Sequence, residues 1–229
     1  MIAVFVGAVV HGSVGFGINL VAAPILVVLN PSFIPGPLVL IAGVMVVMVL
    51  TSERASVDRG AVGWLSLGLV PGSVAGAVAL GGLSRSGLEL VVALGVLAAV
   101  VLTAVHPRIP RTRATLTTAG AVSGFASATA ALAGPPVAIL YQGESPSVLR
   151  GTLSGVFVVG TPITLVTLAC FGRFGLADLR LALILIPCTV AGFGTSLVVS
   201  QFVDRYVSRV AVLIVSAAGC MIVLLKAML

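Results

Sequence analysis

The chain has 229 residues, of which 59% are hydrophobic and only 8% charged, and its mean hydropathy is +1.29. A soluble domain carries about 25% charged residues, so an ordinary soluble enzyme, a nucleic-acid binder and a disordered chain are all excluded. The net charge of +6, from 12 Lys+Arg against 6 Asp+Glu, is dispersed along the chain and reads as charged loops between membrane spans.

No charge occurs from Met1 to Ser52, and the later uncharged stretches are Gly60–Ser84, Leu90–Pro107, Ala114–Gly143, Gly151–Gly172, Leu181–Val203 and Val210–Leu225. A helix needs about 20 apolar residues to cross the hydrocarbon core, so the first stretch holds two segments. They are separated at Asn30-Pro31-Ser32-Phe33-Ile34-Pro35-Gly36-Pro37, where three prolines end one helix and start another. The expected fold is all-α and polytopic, with eight hydrophobic segments forming one membrane domain over 1–229. The first stretch reads as retained and not as a signal peptide, because no basic residue precedes Arg54 and no polar domain follows. Cys170, Cys188 and Cys220 fall in apolar stretches without metal-ligand spacing and read as buried packing residues.

Two halves resemble each other. Leu69-Val70-Pro71-Gly72-Ser73-Val74-Ala75-Gly76 aligns with Leu185-Ile186-Pro187-Cys188-Thr189-Val190-Ala191-Gly192 at an offset of 116, while a shift of 112 sets Gly12 on Gly124, Leu20 on Leu132 and Pro24 on Pro136. This predicts two four-segment units, 1–106 and 114–229, joined by a basic linker at 107–113. Repeats of this kind are common in secondary transporters, with the substrate between them.

Each unit opens on a segment rich in helix-weakening residues: Gly7, Gly12, Gly15, Gly17 and Pro24 in the first, Gly124, Gly134, Pro135 and Pro136 in the second. Each glycine alone reads as small-residue helix packing. The two clusters at matched positions predict interrupted or re-entrant helices, whose freed N–H groups suit an anion. Around them, His11 either takes a proton and meets an anion or sits at the mouth of a half-helix, satisfied by water. Ser13, Asn19, Ser123, Ser127, Thr129 and Gln142 offer neutral hydrogen-bonding groups, of which Asn19 is the best choice because an amide in hydrocarbon needs a partner. Hydroxyls in membrane helices more often bond their own backbone. Tyr141 reads either as a cap on the site or as an interfacial anchor. Arg113 and Arg150 flank the second opening segment, attracting anions or setting topology. No Asp, Glu, Lys or Arg lies unambiguously in the middle of a span.

These residues resemble the sulfite exporter family of the TauE/SafE type. Gly12, Gly15-Phe16-Gly17 and Leu20 through Pro24 are similar to its first-repeat motif, and Gly134-Pro135-Pro136 with Tyr141 to its second. Many members carry a triple glycine where this chain has Gly17-Ile18-Asn19, which weakens substrate inference from those members. The resemblance implies a multi-pass transporter of small anions (sulfite, organosulfonates or carboxylates) in a bacterial inner membrane, not an enzyme. It implies no cofactor, with a proton or sodium as a possible coupling ion and a homodimer as a possible assembly. The expected substrate-binding set is His11, Gly12, Ser13, Gly15, Gly17, Asn19, Pro24, Ser123, Gly124, Ser127, Thr129, Gly134, Pro135, Pro136 and Tyr141.

Two other classes compete. Asn30-Pro31-Ser32 hints at the Asn-Pro turn of a channel, and Ser123 with His11 at an intramembrane serine protease. Orientation stays open on sequence: eight full crossings and a pair of re-entrant hairpins both place eight cations on one side and four on the other.

Overall fold

The structure, a computed structural model, describes residues 1–14, 16–53, 56–105 and 109–199. The described residues form nine helices: α1 Ile2–Val14, α2 Ile18–Leu29, α3 Gly36–Glu53, α4 Arg59–Gly81, α5 Arg85–Val105, α6 Arg113–Ala130, α7 Gly134–Ala138, α8 Pro146–Cys170 and α9 Leu176–Val199. Single 3-10 turns at Pro31–Phe33 and Ile139–Tyr141 complete the order. α4, α8 and α9 are long and apolar enough to cross a membrane, and Ile2–Ser13, Ile18–Leu29 and Gly36–Thr51 are shorter apolar helices. The predicted eighth segment, Val210–Leu225, lies outside the described residues, as do Gly15, Cys220 and the part of the linker at 107–108.

Apolar stripes face outward, including Leu67, Val70, Val74 and Val78 on α4 and Leu90, Leu94, Leu97 and Val101 on α5. Spaced three or four residues apart, they present continuous apolar surface of the kind lipid covers. Inside, close approach depends on glycine. On α4, Gly68, Gly72 and Gly76 lie against the α6 backbone at Thr117, Ala121 and Phe125, while Gly120 and Gly124 of α6 lie against Leu65 and Leu69. A Cβ on Gly72 would sit 2.0 Å from the Ala121 carbonyl oxygen, so only the missing side chain lets the helices meet. α1 runs beside α9 in the same way, with Gly12 against Ser196 and Gly192 against Phe5 and Ala8. α3 crosses α8, where Gly43 receives Thr161.

Loop contacts define two faces. On the first, the Tyr141 hydroxyl donates to Asp58 Oδ2 at 3.0 Å, the Asp58 N–H donates to Thr152 Oγ1 at 3.1 Å, and Arg111 pairs with Glu144. The α3–α4, α5–α6 and α7–α8 connections therefore share this face. On the other, Arg173 donates to the Gly81 carbonyl at 3.2 Å and Gly36 lies against Phe174, which joins the α2–α3, α4–α5 and α8–α9 connections. α4, 23 residues and about 35 Å long, separates them. α6 leaves the first face and Tyr141 is back on it, so residues 113–141 fold back on themselves. The Ser123 hydroxyl donates to the Ala133 carbonyl across this fold-back. The first opening segment folds back too, with Gly7 against Ile18. Of the two arrangements the sequence leaves open, the described residues show fold-backs at both opening segments.

Candidate functional site

The two interruptions are built differently. α1 and α2 are separated at 15–17, with Gly17 at φ 131°, a backbone that side chains rarely adopt. α6 stops at Ala131, which is left-handed at φ 60° and is held by its N–H to the Ser127 carbonyl (2.9 Å) and the Leu132 N–H to the Ala126 carbonyl (3.1 Å). The ends of α1 and α6, Val14 and Ala130, are 116 residues apart, as are the starts of α2 and α7, Ile18 and Gly134. The alignment at 112 is thus four residues off, close to one helical turn, which keeps the same face and makes Gly12 and Gly124 look equivalent.

The interruptions meet. Asn19 Nδ2 donates to the Ala131 carbonyl at 2.7 Å, tying the start of α2 to the end of α6. Between them lies a cavity of about 50 Å³, room for about four water molecules or one small anion. From the first interruption His11, Phe16, Gly17, Ile18 and Asn19 line it, and from the second Ser127, Leu132, Ala133, Gly134 and Pro135. Read as pairs, each of the first set stands 116 residues before its counterpart in the second. α3 contributes Val39, Ala42 and Val46, and α8 contributes Phe157, Gly160, Thr161 and Thr164. Among the described residues, no acidic or basic side chain other than His11 lines it.

Three lining polar groups differ in their bonding. His11 is 3% exposed, and neither ring nitrogen has a hydrogen-bond partner among the described residues. Asn19 is buried, and its Oδ1 has none either. Ser127, a buried serine, stands at the position matching His11. α2 has no side-chain cap, so its first N–H groups at the cavity edge are open to a ligand. The other interruption offers less, because Pro135 and Pro136 at the start of α7 carry no N–H. Backbone donation is therefore one-sided, where the sequence led us to expect it from both segments.

Of the predicted set, His11, Gly17, Asn19, Ser127, Gly134 and Pro135 come together at the cavity. Gly12 and Gly124 pack against α9 and α4. Ser13 and Thr129 bond the carbonyls four residues back, at Val9 and Phe125, and Ser123 braces its fold-back. Pro24 is buried inside α2, and Pro136 stands beside Pro135 without lining the cavity. Gly15 lies outside the described residues. Tyr141, fully buried, neither caps the cavity nor anchors in lipid; it joins loops through Asp58, with the Arg111 guanidinium 5.0 Å above its ring. Burial, then the Asp58 carboxylate, raises its pKa, so the hydroxyl stays a donor. Arg113 stacks over Trp64, and Arg150 donates to the Ser13 carbonyl at 3.4 Å. Thr161 and Thr164 were missed, although their spacing beside Gly160 puts all three near one helix face.

The competing motifs are absorbed locally. Asn30 accepts the Ser32 N–H at 3.0 Å, an ordinary turn cap. Ser123 gives its proton to Ala133 and forms no pair with His11. Cys170 is exposed, correcting its reading as a buried residue. Among the described residues no cluster of His, Cys, Asp or Glu suits a metal.

Apolar outer faces, fold-backs tied together inside the helix bundle and a cavity between them define a multi-pass membrane transporter. The family model for the sulfite exporter TauE/SafE matches residues 1–224, and the chain belongs to that family. No curated protein and no solved structure matches.

Proposed function

We propose that the protein is a secondary carrier that binds a small sulfur-containing or carboxylate anion in the cavity between two inverted repeats. The observation that carries this reading is the pairing of lining residues: five positions around one interruption recur 116 residues later around the other. The helix contacts follow the same exchange. α1 packs on α9 as α6 packs on α4, and α3 on α9 as α8 on α4, while α3 and α8 pack on each other. A two-fold axis in the membrane plane accounts for both patterns, with the fold-backs entering from opposite faces. Carriers of this construction alternate access by rocking one repeat against the other around a fixed site.

The N–H groups at the uncapped start of α2, with the amide of Asn19 and the hydroxyl of Ser127, supply donors without a fixed charge. The first loop face is cytoplasmic in this reading. Arg59, Arg111, Arg113 and Arg150 lie on it, against Arg85, Arg173 and Arg180 on the other. In a bacterial cell the membrane is the inner one.

The test is transport and binding with the purified chain. In proteoliposomes, sulfite, methanesulfonate and acetate compete for one saturable flux that an ion gradient drives uphill, and bound anion raises the unfolding temperature by mass action. Flux proportional to concentration without saturation, or no binding of any of the three, refutes the carrier.

A further inference from the structure

We propose that the cavity takes its anion together with one proton, held on the His11 imidazole, so that a monoanion is bound as a neutral pair. This rests on reading the cavity as the anion site.

The ring lies in the cavity wall, 3% exposed, with both nitrogens unpartnered among the described residues, and the other orphaned group there, Asn19 Oδ1, accepts hydrogen bonds only. An anion brought in alone would add negative charge to a cavity that no described Lys or Arg lines and would leave that oxygen facing a second acceptor. An imidazolium supplies two N–H donors and the missing charge at once. The proton enters from the solvent on the loading side, adds to the free ring nitrogen and leaves when the anion leaves. The cycle is an electroneutral symport of one anion and one proton.

Among the described residues, the charges on the elements packed around the ring lie away from it or are already engaged. Neither α2 nor α3 from Gly36 to Thr51 carries a titratable side chain. On α9, Asp178 is bound to the Gly175 N–H on the opposite face, Arg180 follows within that first turn, and the Cys188 thiol donates to the Met1 sulfur. Arg59 begins α4, Arg113 stacks on Trp64 at the start of α6, and Arg150 of α8 reaches the Ser13 carbonyl. Among the described residues, the charged side chain that reaches α1 is thus that of Arg150, at Ser13, two residues from His11.

The experiment uses methanesulfonate, which stays ionised, so any proton taken up resides on the protein. Calorimetry of the full chain, in buffers of different ionisation enthalpy, is expected to show about one proton taken up per anion at neutral pH and affinity about tenfold weaker per pH unit toward alkaline pH. His11→Gln, checked for folding by its unfolding temperature, is expected to bind more weakly, with no proton uptake and no pH dependence. Binding by the wild type without proton uptake overturns the inference and leaves the anion site standing. Proton uptake that persists in His11→Gln overturns it as well. Sulfite and acetate run in parallel, with the proton count read on whichever anion binds; binding by none refutes the site itself.

Discussion

Gly72→Ala tests whether the α4–α6 contact sets the stability of the whole bundle. The added Cβ falls 2.0 Å from the Ala121 carbonyl oxygen and 2.7 Å from its carbon, both backbone atoms that cannot rotate away. Ordinary contact begins at 3.4 Å, so the helices must separate by about 1.4 Å at that level. Overpacking of this size costs about 1–3 kcal/mol or more. The separation also moves Leu69, three residues before Gly72, which lines the cavity. Gly63→Ala is the control on the same helix, where a Cβ meets nothing within 4 Å. There the exchange recovers about 1 kcal/mol of helix propensity. Unfolding temperatures in detergent should place Gly72→Ala below the wild type and Gly63→Ala at or above it, with anion binding weakened only in the former. Equal stabilities for the two variants would refute the argument that backbone contact holds this pair together.

Asn19→Ala orphans the Ala131 carbonyl and is expected to cost about 1–3 kcal/mol by chemical unfolding, as well as weakening anion binding. Ala131→Gly relieves the left-handed backbone at φ 60° and should stabilise by about 1 kcal/mol in the same assay. Tyr141 has its pKa raised in the fold, so its contribution to stability is present in full below the ordinary phenol value of about 10 and declines as pH rises beyond it. Spectrophotometric titration should show one tyrosine ionising late in the folded protein, and Tyr141→Phe should abolish that phase. In a cysteine-free background, Gly143→Cys and Gly175→Cys should react with an impermeant maleimide from opposite sides of the membrane. Labelling from one side only would defeat the two-face topology.

Charge spacing located the spans because a charge at membrane depth is expensive, but not their ends: α5, α8 and α9 each begin five residues before their uncharged stretch, carrying Arg85, Glu89, Arg150, Asp178 and Arg180 near their starts. The fold-backs were half legible. Glycine and proline marked the interruptions, but whether the chain continues or returns depends on partners far along it, such as Asp58 for Tyr141 and Arg111 for Glu144. Both the 112 and the 116 registers were legible because a one-turn slip preserves helical facing, and the helix ends at Val14 and Ala130 stand at 116. Gly12 and Gly124, expected in the binding set, instead pack against α9 and α4, since a residue without a side chain carries its signal in spacing alone and spacing does not separate packing from binding. The cavity walls from α3 and α8 left no mark, because Val39, Ala42 and Thr164 are ordinary residues for any buried helix face.

What differs between the paired positions matters more for function than what is shared. At 116-residue spacing His11 faces Ser127 and Asn19 faces Pro135, so one interruption presents an imidazole, an amide and an uncapped helix start, and the other a hydroxyl and prolines. Under the proposed inverted-repeat reading, a two-fold scaffold would give two conformations of similar energy, as alternating access requires. Two identical binding half-sites would hold a ligand on the axis in either of two orientations. The difference at His11 and Asn19 would then select one orientation, with the charge-bearing end toward α2. In the proposed site the neutral lining would do the selecting: no Lys or Arg among the described residues lines it, so a dianion would stay uncompensated even with His11 protonated, and singly charged anions would be preferred. Competition at neutral pH between methanesulfonate and a disulfonate of similar size should leave the monoanion bound and the disulfonate excluded.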